Sequence, residues 1–319
     1  MSKAILSMTL FLTVFTLSAA EKQSDNMDKM VQIFPENIKC IAILSPASRP
    51  NEKSIRKGIA MLEKAGIKVK LMPHSFNGEP GKPYTCAPLQ DRLADWNTAV
   101  NDPEVDMIIP TRGGTGAQDL VKLIDWKKFK ERDLPLMGFS NITCITSAMD
   151  HHKAGRPIAG PNIGRLVSAT PGALQHLKAV LAKGTIPSLP LIPLKKGDAR
   201  GRIYAGHLAL LTNNYLSQYP ADTRGRVIFI ECVGRNTKIL DSYFQKLFKK
   251  GFFDQAAAVV LCHFSRLSDP KNKDKMFEIW AKQLKCPVYK GYPYGHENDN
   301  YALDFARTAV IKNDTLSFE

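Results

Sequence analysis

Three residues of types that can act together chemically stand in settings where each calls for an explanation. Ser140 closes the apolar run PLMGFS, where a strand gives way to a helix, so its hydroxyl is expected at the carboxyl edge of a sheet. That edge is where ligands bind in open α/β sheets. Glu231 lies inside RVIFIECVG, an otherwise apolar strand. A buried carboxylate there is costly unless it is paired. His296 lies in GYPYGHENDN, a glycine-flanked loop after a strand, a setting that suits an exposed functional imidazole. A serine nucleophile needs a base and the base needs an orienter, and the three residues supply one of each.

Each feature also has a plainer reading. Ser140 serves equally as a helix N-cap. Its context GFSNIT has the topology of a nucleophile elbow without the G-x-S-x-G pattern, since Ile142 stands where glycine is required. One strand earlier, RGGTG (Arg112 to Gly116) again joins a buried strand to a helix. Glycines there let backbone N–H groups approach an anion, either a phosphate or the oxyanion of an attacked carbonyl. The spacing matches neither GxGxxG nor a P-loop, and a tight strand-to-helix turn accounts for it too. Of the other histidines, His151 and His152 fall on a predicted helix and read as surface residues.

The elements that must position these residues alternate. Strands are expected at Cys40 to Ser48, Ile67 to Pro73, Val105 to Pro110 and Pro135 to Ser140. Helices are expected from Asn51 to Lys64, Leu89 to Val100, Ala117 to Ile124, and from Ser140 to about Lys153. Such alternation predicts an α/β fold with a doubly wound, mostly parallel sheet. Pro187, Pro190 and Pro193 argue against a central strand, so residues 168–200, apart from a helix at Leu174 to Lys183, read as a linker. Beyond it, GRIYAGHLALL, RVIFIECVG, AAAVVLCHF and PVYKGYPYG read as strands of a smaller, strand-rich α/β domain, with helices near Lys238 to Lys250 and Lys275 to Lys285. The predicted organisation is residues 1–20 a leader, 35–167 the N-terminal domain with Ser140, 168–200 the linker, and 201–319 the C-terminal domain with Glu231 and His296.

The 319 residues, 44% hydrophobic and 23% charged, suit a soluble globular chain rather than a disordered or fibrous one. Lys3, the uncharged run Ala4 to Ala20 and the small-residue ending Ser18-Ala19-Ala20 form the three-part pattern of a secretory signal peptide. The chain is therefore expected to be exported, to the periplasm, with no stable membrane insertion once the leader is removed. An uncleaved anchor is the alternative. The net charge of +14 is dispersed; its densest run, WKKFKER (Trp126 to Arg132), includes an acid and matches no nucleic-acid motif, so no nucleic-acid partner is expected. The six cysteines, Cys40, Cys86, Cys144, Cys232, Cys262 and Cys286, contain no CxxC. Several sit in apolar runs and read as small core residues.

Taken together, SPAS at Ser45, RGGTG, MGFSNIT, GHLALL, IFIECVG followed by Asp241, and YGHENDN resemble in order and spacing the LD-carboxypeptidase family, which includes muramoyltetrapeptide carboxypeptidases and microcin C self-immunity peptidases. The resemblance implies Ser140 as nucleophile, from a G-[YF]-S-D-[IL]-T motif. It implies Glu231 as the acidic triad member, from an L-E-D/E motif, and His296 as the base, from a G-H motif. Gly113 and Gly114 neighbour the implied oxyanion site, with the backbone N–H groups of Gly114 and Asn141 as donors and Arg112 as a partner for a terminal carboxylate. This sequence departs from the pattern where Asn141 replaces Asp, Cys232 replaces an acid, and Ala205 and His207 stand in AGHL where GGNL is usual. A signal peptide is a further departure. The implied chemistry is acyl transfer at an L,D-peptide bond, releasing D-alanine from a peptidoglycan-derived tetrapeptide, with no metal or cofactor; a homodimer is implied by family analogy.

Two other readings compete. An immunity-type peptidase would hydrolyse a peptidyl or aminoacyl nucleotide and stack its base on an aromatic group, yet no tryptophan falls between Ser140 and Glu231. An exported solute-binding protein would have no need for Ser140, Glu231 and His296 to converge, and would not label with a fluorophosphonate.

Overall fold

The structure is a computed structural model and describes residues 33–215 and 219–319; the leader expected at residues 1–20 lies outside the described residues. In chain order the first strands are β1 (Cys40–Leu44), β2 (Lys68–Leu71), β3 (Gly78–Glu79), β4 (Lys82–Cys86), β5 (Met107–Pro110), β6 (Pro135–Gly138) and β7 (Arg156–Ala159). Then come β8 (Leu189–Pro190), β9 (Ile192–Lys195), β10 (Ala199–His207), β11 (Val227–Val233), β12 (Ala258–Ser265) and β13 (Val288–Lys290). The chain ends with β14 (Leu303–Asp304), β15 (Thr308–Lys312) and β16 (Thr315–Phe318).

The first sheet runs β14-β7-β6-β5-β1-β2 and is parallel except at β14. All five residues of β1 are buried, as parallel strands covered by helices on both faces must be. Alternation along the strand divides them between two cores. Ile41 and Ile43 pack with Ile55 and Leu62 of the helix Glu52–Lys64, while Ala42 and Leu44 pack with Trp96 and Ala99 of the helix Leu89–Asn101. The first helix starts where Asn51 Oδ1 accepts from the Ser54 N–H at 3.0 Å and ends before Gly66, whose φ of 78° lies in the left-handed region.

The second sheet runs β8-β16-β15-β10-β11-β12-β13-β9, with a parallel centre from β10 to β13 and antiparallel edges. Its core is rich in aromatics; Phe244 stacks on Trp280 with ring centroids 4.4 Å apart. The α/β class with a parallel first sheet and a strand-rich second one is as expected from the sequence.

Several elements differ from expectation. Residues 168–200, expected as a linker around one helix, hold that helix at Pro171–Leu181 but also the edge strands β8 and β9. Pro190 and Pro193 sit on edge strands, where a missing N–H need not break a ladder. GRIYAGHLALL is not one strand: β10 ends at His207 and a helix, Leu208–Tyr215, follows at once. β14, which follows His296 in the chain, pairs with β7 of the first sheet, so the last segment crosses back to it. The basic run Trp126–Arg132 forms a helix capped by Asp125, with Phe129 buried.

Candidate active site

The local chain geometry explains how Ser140 comes to be presented. β6 ends at Gly138, Phe139 is extended, and Ser140 takes φ 62° before the backbone winds through Ser140–Ile142 into the helix Thr143–His152. A serine in the left-handed region is strained by about 1 kcal/mol or more, and such strain persists where the surroundings impose it. The turn is crowded. A Cβ on Gly138 would lie 2.6 Å from Ile142 Cγ2, and one on Gly113 would lie 2.8 Å from Ser140 Cβ and 3.0 Å from the Asn141 nitrogen.

The loop after β5 therefore lies against the Ser140 turn, and glycine is the only residue that fits there. Gly114, at φ 116°, sits where any Cβ would meet Ser48 Oγ at 2.1 Å, and Ser48 Oγ itself accepts from the Thr115 N–H at 3.0 Å. Arg92, buried beneath, donates to the backbone oxygens of Ala87, Pro46 and Gly116 at 2.9 to 3.0 Å and so ties three loops together. The Asn141 side chain bridges to the next helix: its Oδ1 accepts from the Ala117 N–H at 3.0 Å and its Nδ2 donates to Gln118 Oε1 at 3.3 Å. The amide thus supplies an uncharged acceptor at the start of the helix Ala117–Leu120.

Glu231 comes from the second sheet. It is fully buried, and the β11–β12 register is irregular between Ile230 and Cys232, so the glutamate falls on the break in the ladder. Such irregularities re-aim a side chain. Its Oε2 lies 2.7 Å from His296 Nδ1, and His296 Nε2 lies 3.0 Å from Ser140 Oγ. Glu231 Oε1 has no hydrogen-bond partner among the described residues. Next to the imidazole, Gly295 takes φ 137° and packs so closely that a Cβ would lie 3.0 Å from both Glu231 Cβ and His263 Cβ. Phe139 packs on the other side, its ring 4.8 Å from that of His296. The three residues from distant parts of the chain thus form one continuous hydrogen-bonded series.

The series opens onto a cleft of about 840 Å³ between the two sheets, lined by Gly113, Gly114, Ser140, Asn141 and His296 among others. That volume is in the range of a small-ligand or peptide site. Arg112 also lines it, with Nη1 donating to the Arg49 backbone oxygen at 3.4 Å. His151 and His152 lie elsewhere, at the end of their helix, where His152 stacks on Trp126 at 4.9 Å.

One pair was not legible beforehand. His207 and Cys232, two of the departures from the family pattern, touch one another: His207 Nε2 lies 3.5 Å from Cys232 Sγ. Both are buried, and burial lowers the His207 pKa, opposed in part by Glu231. His207 also lines the cleft, its ring 5.8 Å from that of His296, and its Nδ1 has no partner among the described residues. Strand register supplies the contact, since β10 and β11 pair His207 with Glu231, and no spacing in the sequence reveals that. All six cysteines are free and buried.

Comparison with known proteins finds relatives of this chain. A model described as the LD-carboxypeptidase N-terminal domain matches residues 41–157, and one described as the LD-carboxypeptidase C-terminal domain matches residues 200–311. The chain is 25% identical over 285 residues to the probable murein peptide carboxypeptidase of Bacillus subtilis, covering 85% of this chain and 88% of that protein. It is 26% identical over 294 residues to the murein tetrapeptide carboxypeptidase of Pseudomonas aeruginosa, covering 86% and 94%. It is 21% identical over 308 residues to the microcin C7 self-immunity protein MccF of Escherichia coli, covering 85% and 88%. Among solved structures, the muramoyltetrapeptide carboxypeptidase of Oxalobacter formigenes shares the fold with a TM-score of 0.79 at 22% identity, covering 88% of this chain and 98% of that one.

Proposed function

The chain belongs to the LD-carboxypeptidase family, and from that premise we propose that it is a serine carboxypeptidase that cleaves an L,D-peptide bond and releases a terminal D-amino acid. The observation that carries the proposal is the unbroken series Glu231–His296–Ser140, at 2.7 and 3.0 Å, opening onto the cleft.

Ser140 Oγ attacks the carbonyl carbon of the L-residue while His296 Nε2 takes its proton. Glu231 holds the proton on Nδ1 and stabilises the imidazolium that forms. Charge developing on the carbonyl oxygen is received by the N–H groups of Gly114 and Asn141, whose loops the glycine packing brings together. His296 then protonates the departing amine, leaving an acyl-Ser140 ester that water hydrolyses with His296 again as base. General base catalysis contributes about 10²–10⁴-fold and each oxyanion donor on the order of 10²–10³-fold.

Relatives named murein peptide and murein tetrapeptide carboxypeptidases support a peptidoglycan-derived tetrapeptide ending in D-alanine as substrate. Purified protein incubated with that tetrapeptide should release D-alanine, and Ser140→Ala should abolish the release. Near-normal turnover by Ser140→Ala, or equal turnover of all-L peptides, would refute the scheme. An aminoacyl nucleotide run in parallel tests the immunity-type reading. No tryptophan lines the cleft among the described residues to stack such a base. Export by the leader at residues 1–20 is part of the proposal, checked by cell fractionation and N-terminal sequencing of the purified protein.

A further inference from the structure

Positive charge gathers on one side of the second sheet. The helix Thr237–Lys249 follows β11 and the helix Lys273–Gln283 follows β12, and right-handed crossovers between parallel strands put both on the same face. Side chains tie the pair together: Trp280 Nε1 donates to Asp241 Oδ1 at 2.8 Å, and Gln245 Nε2 donates to Gln283 Oε1 at 3.0 Å. Residues 237–250 and 271–285 hold nine lysines against three acids, a surplus of six within a chain of net charge +14. Two of those acids are engaged already, Asp241 with Trp280 and Asp274 with Lys290 at 2.8 Å. On the first helix Leu240, Phe244 and Leu247 are buried, while Lys238, Lys246 and Lys249 are exposed on the opposite side. On the second, Met276, Phe277 and Trp280 are buried, while Lys275 and Lys282 are exposed. None of these five lysines takes part in an ion pair among the described residues. Two isoleucines stand among them in water: Ile239 is 39% exposed, and Ile279, one turn from both Lys275 and Lys282, is 45% exposed.

We propose that this two-helix face docks the protein on the surface of an anionic phospholipid bilayer. The lysine heads meet lipid phosphates while their stems lie along the boundary layer. Ile239 and Ile279 leave water for the zone just beneath the headgroups, as the apolar side of an interfacial helix does. An anionic polymer would satisfy the lysines but offer the isoleucines no apolar layer, so lipid fits both halves of the surface. Single exposed apolar residues are ordinary on protein surfaces; it is their place inside a basic area poor in free acids that singles these out. Tyr243 of the first helix lines the cleft, so docking by this face keeps the cleft close to the bilayer. The docking is independent of the hydrolytic reading above.

The test is co-sedimentation with vesicles of phosphatidylcholine alone or mixed with phosphatidylglycerol. The protein begins at Glu21, so that the apolar leader cannot itself bind lipid, and it retains every described residue. It should pellet with the anionic vesicles, much less with the neutral ones, and progressively less as salt rises. Each lysine near the surface is worth roughly fivefold in affinity, so Lys238→Gln/Lys246→Gln/Lys249→Gln/Lys282→Gln should weaken binding by about 100-fold or more. Ile239→Ser/Ile279→Ser, which leaves the charge unchanged, should weaken it roughly tenfold. The control Lys53→Gln/Lys57→Gln/Lys127→Gln/Lys130→Gln removes the same charge from exposed positions beside the first sheet and should stay within about threefold of the parent. Turnover of a soluble tetrapeptide should be the same in all of these proteins. An equal loss in the control would assign binding to net charge alone and overturn the proposal. So would an unchanged affinity in the isoleucine variant, or pelleting with protein-free peptidoglycan sacculi but not with anionic vesicles. Melting curves accompany each variant; where one is unfolded, the parent's preference for anionic over neutral vesicles decides, and its absence overturns the proposal equally.

Discussion

Replacing Glu231 by Gln alters one atom of the series and separates tautomer control from folding. In the proposed scheme the His296 ring proton sits on Nδ1, 2.7 Å from Oε2, which leaves Nε2 free to accept the Ser140 proton at 3.0 Å. A glutamine must put an oxygen and an NH₂ where the two carboxylate oxygens were. The Oε1 position has no hydrogen-bond partner among the described residues, so an NH₂ placed there would be buried and unsatisfied, at a cost of about 1–3 kcal/mol. The NH₂ therefore turns toward His296 and donates to Nδ1, moving the ring proton to Nε2, where it faces the serine oxygen instead of receiving its proton. The corresponding Asp→Asn change in the Ser-His-Asp proteases lowers kcat by about 10⁴ through the same tautomer error. A loss of roughly 10³–10⁴ is expected here, or about 4–5.5 kcal/mol in the barrier. Glutamine also removes a buried charge, so thermal stability should stay within roughly 3 °C of the parent or rise. The assay is D-alanine release from the tetrapeptide, with a melting curve on the same sample. Activity within tenfold of the parent, from protein that melts normally, would refute the reasoning. So would a Ser140→Ala/Glu231→Gln protein showing the product of the two single losses, because groups that act as a unit do not multiply.

Gly113→Ala should cut kcat/KM by about 100-fold or more, since the new Cβ at 2.8 Å from Ser140 Cβ must displace the nucleophile; steady-state kinetics with a melting control checks it. Burial pushes the His176 pKa down to about 4, with its Nε2 2.9 Å from the Ala302 backbone oxygen. The native state thus binds no proton there while the unfolded chain does, so stability is full above about pH 6.5 and falls toward pH 4, by roughly 3 kcal/mol. Urea unfolding at pH 7 and pH 4.5 should show this loss, and His176→Gln should reduce it. Asp150 accepts from both Nη atoms of Arg226 at 3.0 Å; Asp150→Ala should cost about 3–5 kcal/mol by urea unfolding, and Asp150→Leu/Arg226→Met less, because the double change strands no charge.

How much of this was legible depends on how local the determinant is. The strand-to-helix turn at Ser140, the isolated carboxylate in RVIFIECVG and the glycine-flanked His296 each carry their signal within ten residues. The break after His207 was hidden because LALL continues an apolar run that suits a strand or a buried helix equally. β8 and β9 were hidden because proline was weighed as a strand breaker without knowing that these strands lie at an edge. The His207–Cys232 contact comes from separate strand ends. Only topology brings such residues together.

Topology also explains how groups from two sheets come within hydrogen-bonding distance of one another. The helix Thr143–His152, into which the Ser140 turn leads, is bonded to the second sheet along its length. Thr143 Oγ1 accepts from the His207 N–H at 3.1 Å, and Ser147 Oγ meets the Tyr204 hydroxyl at 3.0 Å. Farther along, Asp150 pairs with Arg226. His207 and Tyr204 belong to β10, whose register with β11 sets His207 opposite Glu231. Ser140 and Glu231 are therefore joined by one helix and one strand pair rather than by the longer connections between the sheets. A one-residue slip of β11 would turn Glu231 to the other face. The buried bonds of this helix consequently fix the Glu231–His296–Ser140 distances as well as the stability of the fold.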